Sequence, residues 1–92
     1  MKTFGEYIRK LREEKGLPLR KVAAVLDIDT SILSKIERNE RKATIKMIPI
    51  LAKTLEKPEK DIEIQFIKSA IITDFGKLNY LKDGLKEIIK TL

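Results

Sequence analysis

The stretch LRKVAAVLDIDTSILSKIER, residues 19–38, constrains the fold more than any other part of the chain. Val22, Ala23 and Leu26 recur at the spacing of one helix face, and so do Leu33 and Ile36. Asp27-Ile28-Asp29 interrupts the two patterns, which predicts two short helices meeting at a tight corner. Such a pair cannot enclose its own apolar stripes, so the flanking segments must complete a core around it. At about 100° per residue, Ser31, Ser34, Lys35 and Arg38 point away from Leu33 and Ile36. This polar, basic ridge is the candidate functional edge.

A chain of 92 residues supports one small domain with, at most, a tail element. It contains no cysteine and no histidine. That composition excludes disulfides, thiol catalysis, Cys/His zinc sites and histidine acid–base chemistry, and no metal or cofactor is expected. No apolar run has the character of a signal peptide or is long enough to span a bilayer, so the expected setting is cytoplasmic, with no membrane partner. The formal net charge is +6, with a sequence pI near 9.6. Twelve basic residues face seven acidic ones up to Lys46, so most of the excess lies in the first half. That asymmetry points to an anionic partner for the first half.

The first helix is expected to open at Thr3, where Thr3-Phe4-Gly5-Glu6 forms a capping box. Phe4, Ile8 and Leu11 follow at helical spacing, with Tyr7 beside them, and Gly16 suits a left-handed stop. Pro18 belongs to the first turn of the second helix, where a missing N–H costs nothing. Asp27 takes the corner, at a position where positive φ is often required. Asp29 is the expected N-cap of the third helix, with Ile28 and Leu33 as its hydrophobic staple. Glu37 lies close to the apolar side of that helix and needs a partner, for which Arg12 is the candidate. Asn39 ends the helix.

Residues 40–43 read as a charged loop. Thr44 is the expected cap of a fourth helix carrying Ile45, Ile48, Leu51, Ala52 and Leu55. Pro49 would kink such a helix, unless the helix starts one turn later and holds Pro49 in its first turn. From Pro58 the pattern is ambiguous. Ile62, Ile64 and Phe66 alternate like a strand, whereas Ile64, Ile67 and Ile71 suit a helix, which the length of the apolar run favours. After a break over 73–76, Leu78, Leu81, Leu85, Ile88 and Leu92 form a heptad seam. It either packs on the domain's own core or pairs with another copy. Gly84 weakens this helix by roughly 1 kcal/mol relative to alanine.

The residues Leu11-Arg12, Gly16-Leu17, Val22-Ala23, Leu26, Ile28 and Leu33-Ser34-Lys35-Ile36-Glu37-Arg38 resemble the phage-repressor-like (XRE, Cro/repressor) helix-turn-helix family, the last string being close to its S-x-I-E-R signature. The resemblance runs from about Thr3 to Ile62. It implies an all-α fold, a five-helix DNA-binding domain over 1–62, followed here by a helical extension over 63–92 that is a candidate dimerisation element. It also implies that the third helix enters the major groove and that an arginine of the first helix pairs with the signature glutamate, in agreement with Arg12–Glu37. Two departures stand out. Pro18-Leu19 replace the usual Thr-Gln opening of the second helix, leaving Arg20 as a substitute phosphate contact, and Asp27 replaces the corner glycine.

On this reading the chain is a sequence-specific regulator of transcription, acting on double-stranded DNA as a homodimer at an inverted repeat. Thr30, Ser31, Ser34 and Lys35 are the expected base-reading residues. Ile32 flanks them, either touching a thymine methyl or partly buried. Arg20, Arg38, Arg41, Lys42 and Thr44 are the expected phosphate contacts. An enzyme is disfavoured, since the acids are scattered and no phosphate-cradling glycine loop is present. The alternatives are an antitoxin or other protein-interaction module, docking a protein through the extension, and a controller protein of a restriction–modification system.

Overall fold

A computed structural model describes residues 3–92, so the first two residues of the expected 1–62 domain lie outside it. Among the described residues there are six α-helices and no strand: α1 (Phe4–Glu14), α2 (Leu19–Val25), α3 (Thr30–Glu37), α4 (Met47–Leu55), α5 (Glu59–Phe75) and α6 (Leu81–Thr91). The ambiguous segment after Pro58 is therefore helical. Helix α5 runs unbroken through Ile62, the residue taken as the domain boundary from sequence.

The first four helices end in the same way. After each, one residue with positive φ turns the chain: Gly16 (67°), Asp27 (56°), Asn39 (60°) and Glu56 (55°). The next amide then bonds back across the last turn, as in Leu17 N–H to the Arg12 carbonyl (3.1 Å) and Ile28 N–H to the Ala23 carbonyl (3.1 Å). Glu40 N–H to the Lys35 carbonyl (2.8 Å) and Lys57 N–H to the Ala52 carbonyl (3.0 Å) repeat the pattern. These Schellman stops satisfy terminal carbonyls and reverse the chain sharply. Only the first uses glycine. Asp and Asn tolerate this conformation through short polar side chains. The Glu56 carboxylate is held by Lys15, whose ammonium keeps it below its usual pKa.

Helix starts depart more from expectation. Thr3 Oγ1 accepts the Glu6 N–H at 3.1 Å, as the capping box requires. Asp29 occupies the N-cap position of α3, but its side chain makes no capping bond. The Ile32 and Leu33 amides donate instead to the Asp29 backbone carbonyl, at 3.0 and 3.2 Å. Thr44 does not cap α4. The N-cap residue is Lys46, the Thr44 carbonyl accepts the Met47 N–H at 3.0 Å, and Pro49 falls in the first turn. The late start leaves Ile45 in the preceding turn, exposed rather than on the apolar stripe. Leu78 likewise precedes α6 and is exposed, so the heptad seam is helical only from Leu81.

The core gathers α1 to α5 around Ile8, Val22, Leu33, Leu55 and Ile62, all essentially without solvent contact. Its packed pairs are α1 with α3 and α5, α2 with α3 and α4, and α4 with α5. Helix α5 also reaches back past Ile62 to the start of α1. Phe66 meets Phe4 edge to face, with ring centroids 5.4 Å apart, and the buried Ser69 hydroxyl accepts the Phe4 N–H at 3.0 Å. Helix α6 has no buried residue and does not appear among the packed pairs. The radius of gyration, 14.3 Å, exceeds the about 12 Å expected of a compact chain of this length because α6 projects from the body.

Gly5 marks where α1 touches the end of α3. A β-carbon there would collide with the Ile36 carbonyl oxygen and lie 2.9 Å from the Glu37 carbonyl carbon, both rigid backbone. Gly5→Ala, a favourable change in an isolated helix, should therefore destabilise the domain by about 1–3 kcal/mol. Thermal denaturation tests this: an unchanged or raised midpoint would show that the two helices do not meet in this way.

Candidate nucleic-acid interface

The corner between α2 and α3 is built from local chemistry. Leu26 closes α2, Asp27 turns the chain with φ of 56°, and Ile28 drops onto the core before α3 begins. Helix α3 then buries Leu33, Ile36 and Glu37. Its outer side presents Thr30, Ser31, Lys35 and Arg38 to solvent, with Ser34 and Ile32 half-buried at the flanks. The ridge expected from periodicity is thus brought together on one exposed edge. Ile32 is partly covered beside the corner, next to Ala24 and Ile28.

What holds α3 in place is ionic and buried. Arg12 of α1 donates from Nε to Glu37 Oε2 (2.7 Å) and from Nη2 to Glu37 Oε1 (2.9 Å), a two-pronged contact. Its Nη1 donates to the Leu17 carbonyl at 2.8 Å, in the link between α1 and α2. Both residues are buried, at 8% and 4% exposure, and no buried side-chain polar atom among the described residues lacks a partner. The hydrogen bond to Glu37 raises the Arg12 pKa against the opposing effect of desolvation. The planar guanidinium matches a carboxylate in a way that lysine cannot.

Basic side chains surround the ridge, and their partners differ. Arg20 on α2 and Arg41 in the loop after α3 are exposed. Arg38 is tied locally, with Nη1 3.1 Å from Glu40 Oε2 and Nε donating to the Ser34 carbonyl at 3.3 Å. Lys42 Nζ contacts both carboxylate oxygens of Asp74, on α5, at 2.8 and 3.0 Å. Thr44 is an exposed hydroxyl ahead of α4. The Asp74 contact escaped sequence reasoning. It joins residues far apart in the chain, and no local pattern marks it.

A family model described as helix-turn-helix matches residues 8–62, which span all of α2 to α4 and the Arg12–Glu37 pair. The chain belongs to the helix-turn-helix family. The match identifies the domain type and no particular phage repressor. This helix-turn-helix domain is 28% identical over 82 residues to the HTH-type transcriptional regulator PrpR of Mycobacterium tuberculosis, covering 82% of this chain and 17% of that protein. It therefore spans a small part of the relative's length, and it is related to DNA-binding regulators of transcription. No solved structure matches it.

Removing one side of the buried pair strands the other charge. Glu37→Ala should cost on the order of 3–5 kcal/mol, with Arg12→Ala similar and the double variant far less than additive. Chemical denaturation of the three variants measures this; additive losses would mean that the two side chains do not act together.

Proposed function

We propose that this domain binds double-stranded DNA by laying α3 in the major groove and that it regulates transcription as a homodimer on an inverted repeat, in the cytoplasm. The observation that carries the reading is the exposed edge of α3. Hydroxyls at its N-terminal end and Lys35 one turn on project from a rigidly held helix, with cationic side chains on either side. Residues near the start of such a helix reach deepest into the groove, so Thr30 and Ser31 would read base edges first. Lys35 has the reach and charge to donate to guanine O6 and N7, and Ser34 flanks it. Arg20, Arg38, Arg41, Lys42 and Thr44 would contact phosphates, which supply affinity and register rather than sequence preference.

The Arg38 and Lys42 ion pairs refine that assignment. Both are exposed contacts of the kind worth little in water, so a phosphate can replace the carboxylate. Asp74 nevertheless holds a negative charge beside a residue expected on the DNA backbone, and it should weaken binding. No helix among the described residues is long and apolar enough to cross a membrane, and none of their acidic side chains cluster as a metal site would require. A non-enzymatic role fits the family type.

Binding to duplex DNA should fall steeply with salt. Lys42→Ala should weaken it evenly across sequences and reduce the slope of log affinity against log salt by about 1. Asp74→Asn should strengthen it. An unchanged slope in an ionic-strength titration of Lys42→Ala removes that residue from the interface. Ser31→Ala or Lys35→Ala should change the motif recovered from a random DNA pool, and recovery of the wild-type motif would refute their base-reading role.

A further inference from the structure

The start of α1, the end of α3, the loop after it and α5 do not close completely on one another. They leave a recess of about 80 Å³. Its floor is apolar: Phe4 and Ile36 are buried there, and Phe66 and Ala43 are half-buried along its sides. The buried Ser69 hydroxyl beside it is engaged by the Phe4 N–H at 3.0 Å. The mouth has a different character. Ala70 and Thr73 border it from α5 with short, exposed side chains, and the exposed Arg41 and Lys42 border it from the loop. Among the described residues, no acidic side chain lines the recess.

We propose that this recess binds a small monocarboxylate, its apolar body on the floor formed by Phe4, Ile36 and Phe66 and its carboxylate at Arg41. Size is the first argument. An apolar cavity of about 150 Å³ holds benzene, so roughly half that volume admits a body of about three or four carbons. The second is the order of the chemistry from floor to mouth. A wholly apolar molecule would leave the cations unused, and an inorganic anion would leave the apolar floor against water. A short amphiphile with one negative end satisfies both, in the manner of small-molecule sites that set a few polar groups around an apolar pocket. The third is that the mouth already takes a carboxylate within the fold. Lys42 Nζ lies 2.8 and 3.0 Å from the two Asp74 oxygens, one residue beyond Thr73. Arg38 is likewise paired with Glu40, whereas Arg41 has no acidic partner among the described residues. Its planar guanidinium offers parallel donors to a single carboxylate. Arg41 and Lys42 are also the phosphate contacts proposed above, so a filled mouth should lower affinity for duplex DNA. That consequence, unlike the binding itself, rests on the DNA-binding reading.

The binding is tested on the full chain without DNA, by titrating butyrate while following backbone amide resonances. The amides of Ala43, Phe66 and Ala70 should shift and saturate in the millimolar range. Butanol lacks the charge and inorganic phosphate lacks the body, so each should bind about tenfold more weakly or worse. Arg41→Gln should weaken butyrate by about tenfold, the loss of one charge-assisted contact. Ala70→Leu enlarges an exposed α5 position at the mouth, so it should abolish saturation while the thermal midpoint stays near that of the wild type. The absence of a saturable shift overturns the proposal, as does butyrate binding unchanged by either substitution. Equal binding of butanol or of phosphate overturns it too, since one half of the recess would then play no part. Butyrate should also lower the affinity for duplex DNA. A bound ligand that leaves duplex affinity unchanged refutes the competition, and a chain that takes butyrate but never binds duplex refutes only the DNA-binding reading.

Discussion

The Arg12–Glu37 pair is the constraint on which the rest of this domain depends. It joins the first helix to the end of the third and, through the Leu17 carbonyl, to the link that starts the second. Buried charges are tolerable only when every donor and acceptor is engaged. Here the three guanidinium contacts leave no freedom in how the helices meet. The orientation of α3, and with it the direction in which Thr30, Ser31 and Lys35 project, follows from this one geometric requirement.

Around that pair the domain is assembled from repeated local devices. Four helices stop with the same left-handed residue and the same backward hydrogen bonds. Each stop turns the chain within a few residues, so short helices can enclose a core that none could build alone. Three of those turns use residues other than glycine, which confines the unfolded chain less flexibly than glycine would. Gly5 serves a different purpose, allowing α1 to approach the carbonyl end of α3 within backbone contact.

The extension is not an appendage joined by a linker. Helix α5 belongs to the core at Ile62, caps α1 through Ser69 and reaches the loop after α3 through Asp74. The C-terminal end of α5 thus carries both Asp74, against the loop after α3, and Phe75, on its exposed apolar side.

Much of this was legible from residue spacing. The corner, the ridge on α3 and the left-handed turns at Gly16 and Asp27 rest on contacts within a few residues or on one strongly patterned helix face, whereas the Arg12–Glu37 pairing, between two helices, was legible from a carboxylate beside an apolar stripe and from the family signature. The late start of α4 was foreshadowed by Pro49, since a proline is compatible only with a first turn. Thr44 misled because capping propensity is only a preference, and there its backbone carbonyl rather than its hydroxyl accepts the Met47 amide; Asp29 takes the expected N-cap position without a side-chain bond. The sequence by itself determined the first four helices, their order and which side of each is apolar, because those follow from periodicity and turn chemistry, while the alternation after Pro58 left α5 open between helix and strand. Only the tertiary structure decided that Asp74 meets Lys42, that Ser69 caps α1 and that α6 stands away from the core. Each of these depends on how distant helices cross, a relation that no local pattern encodes.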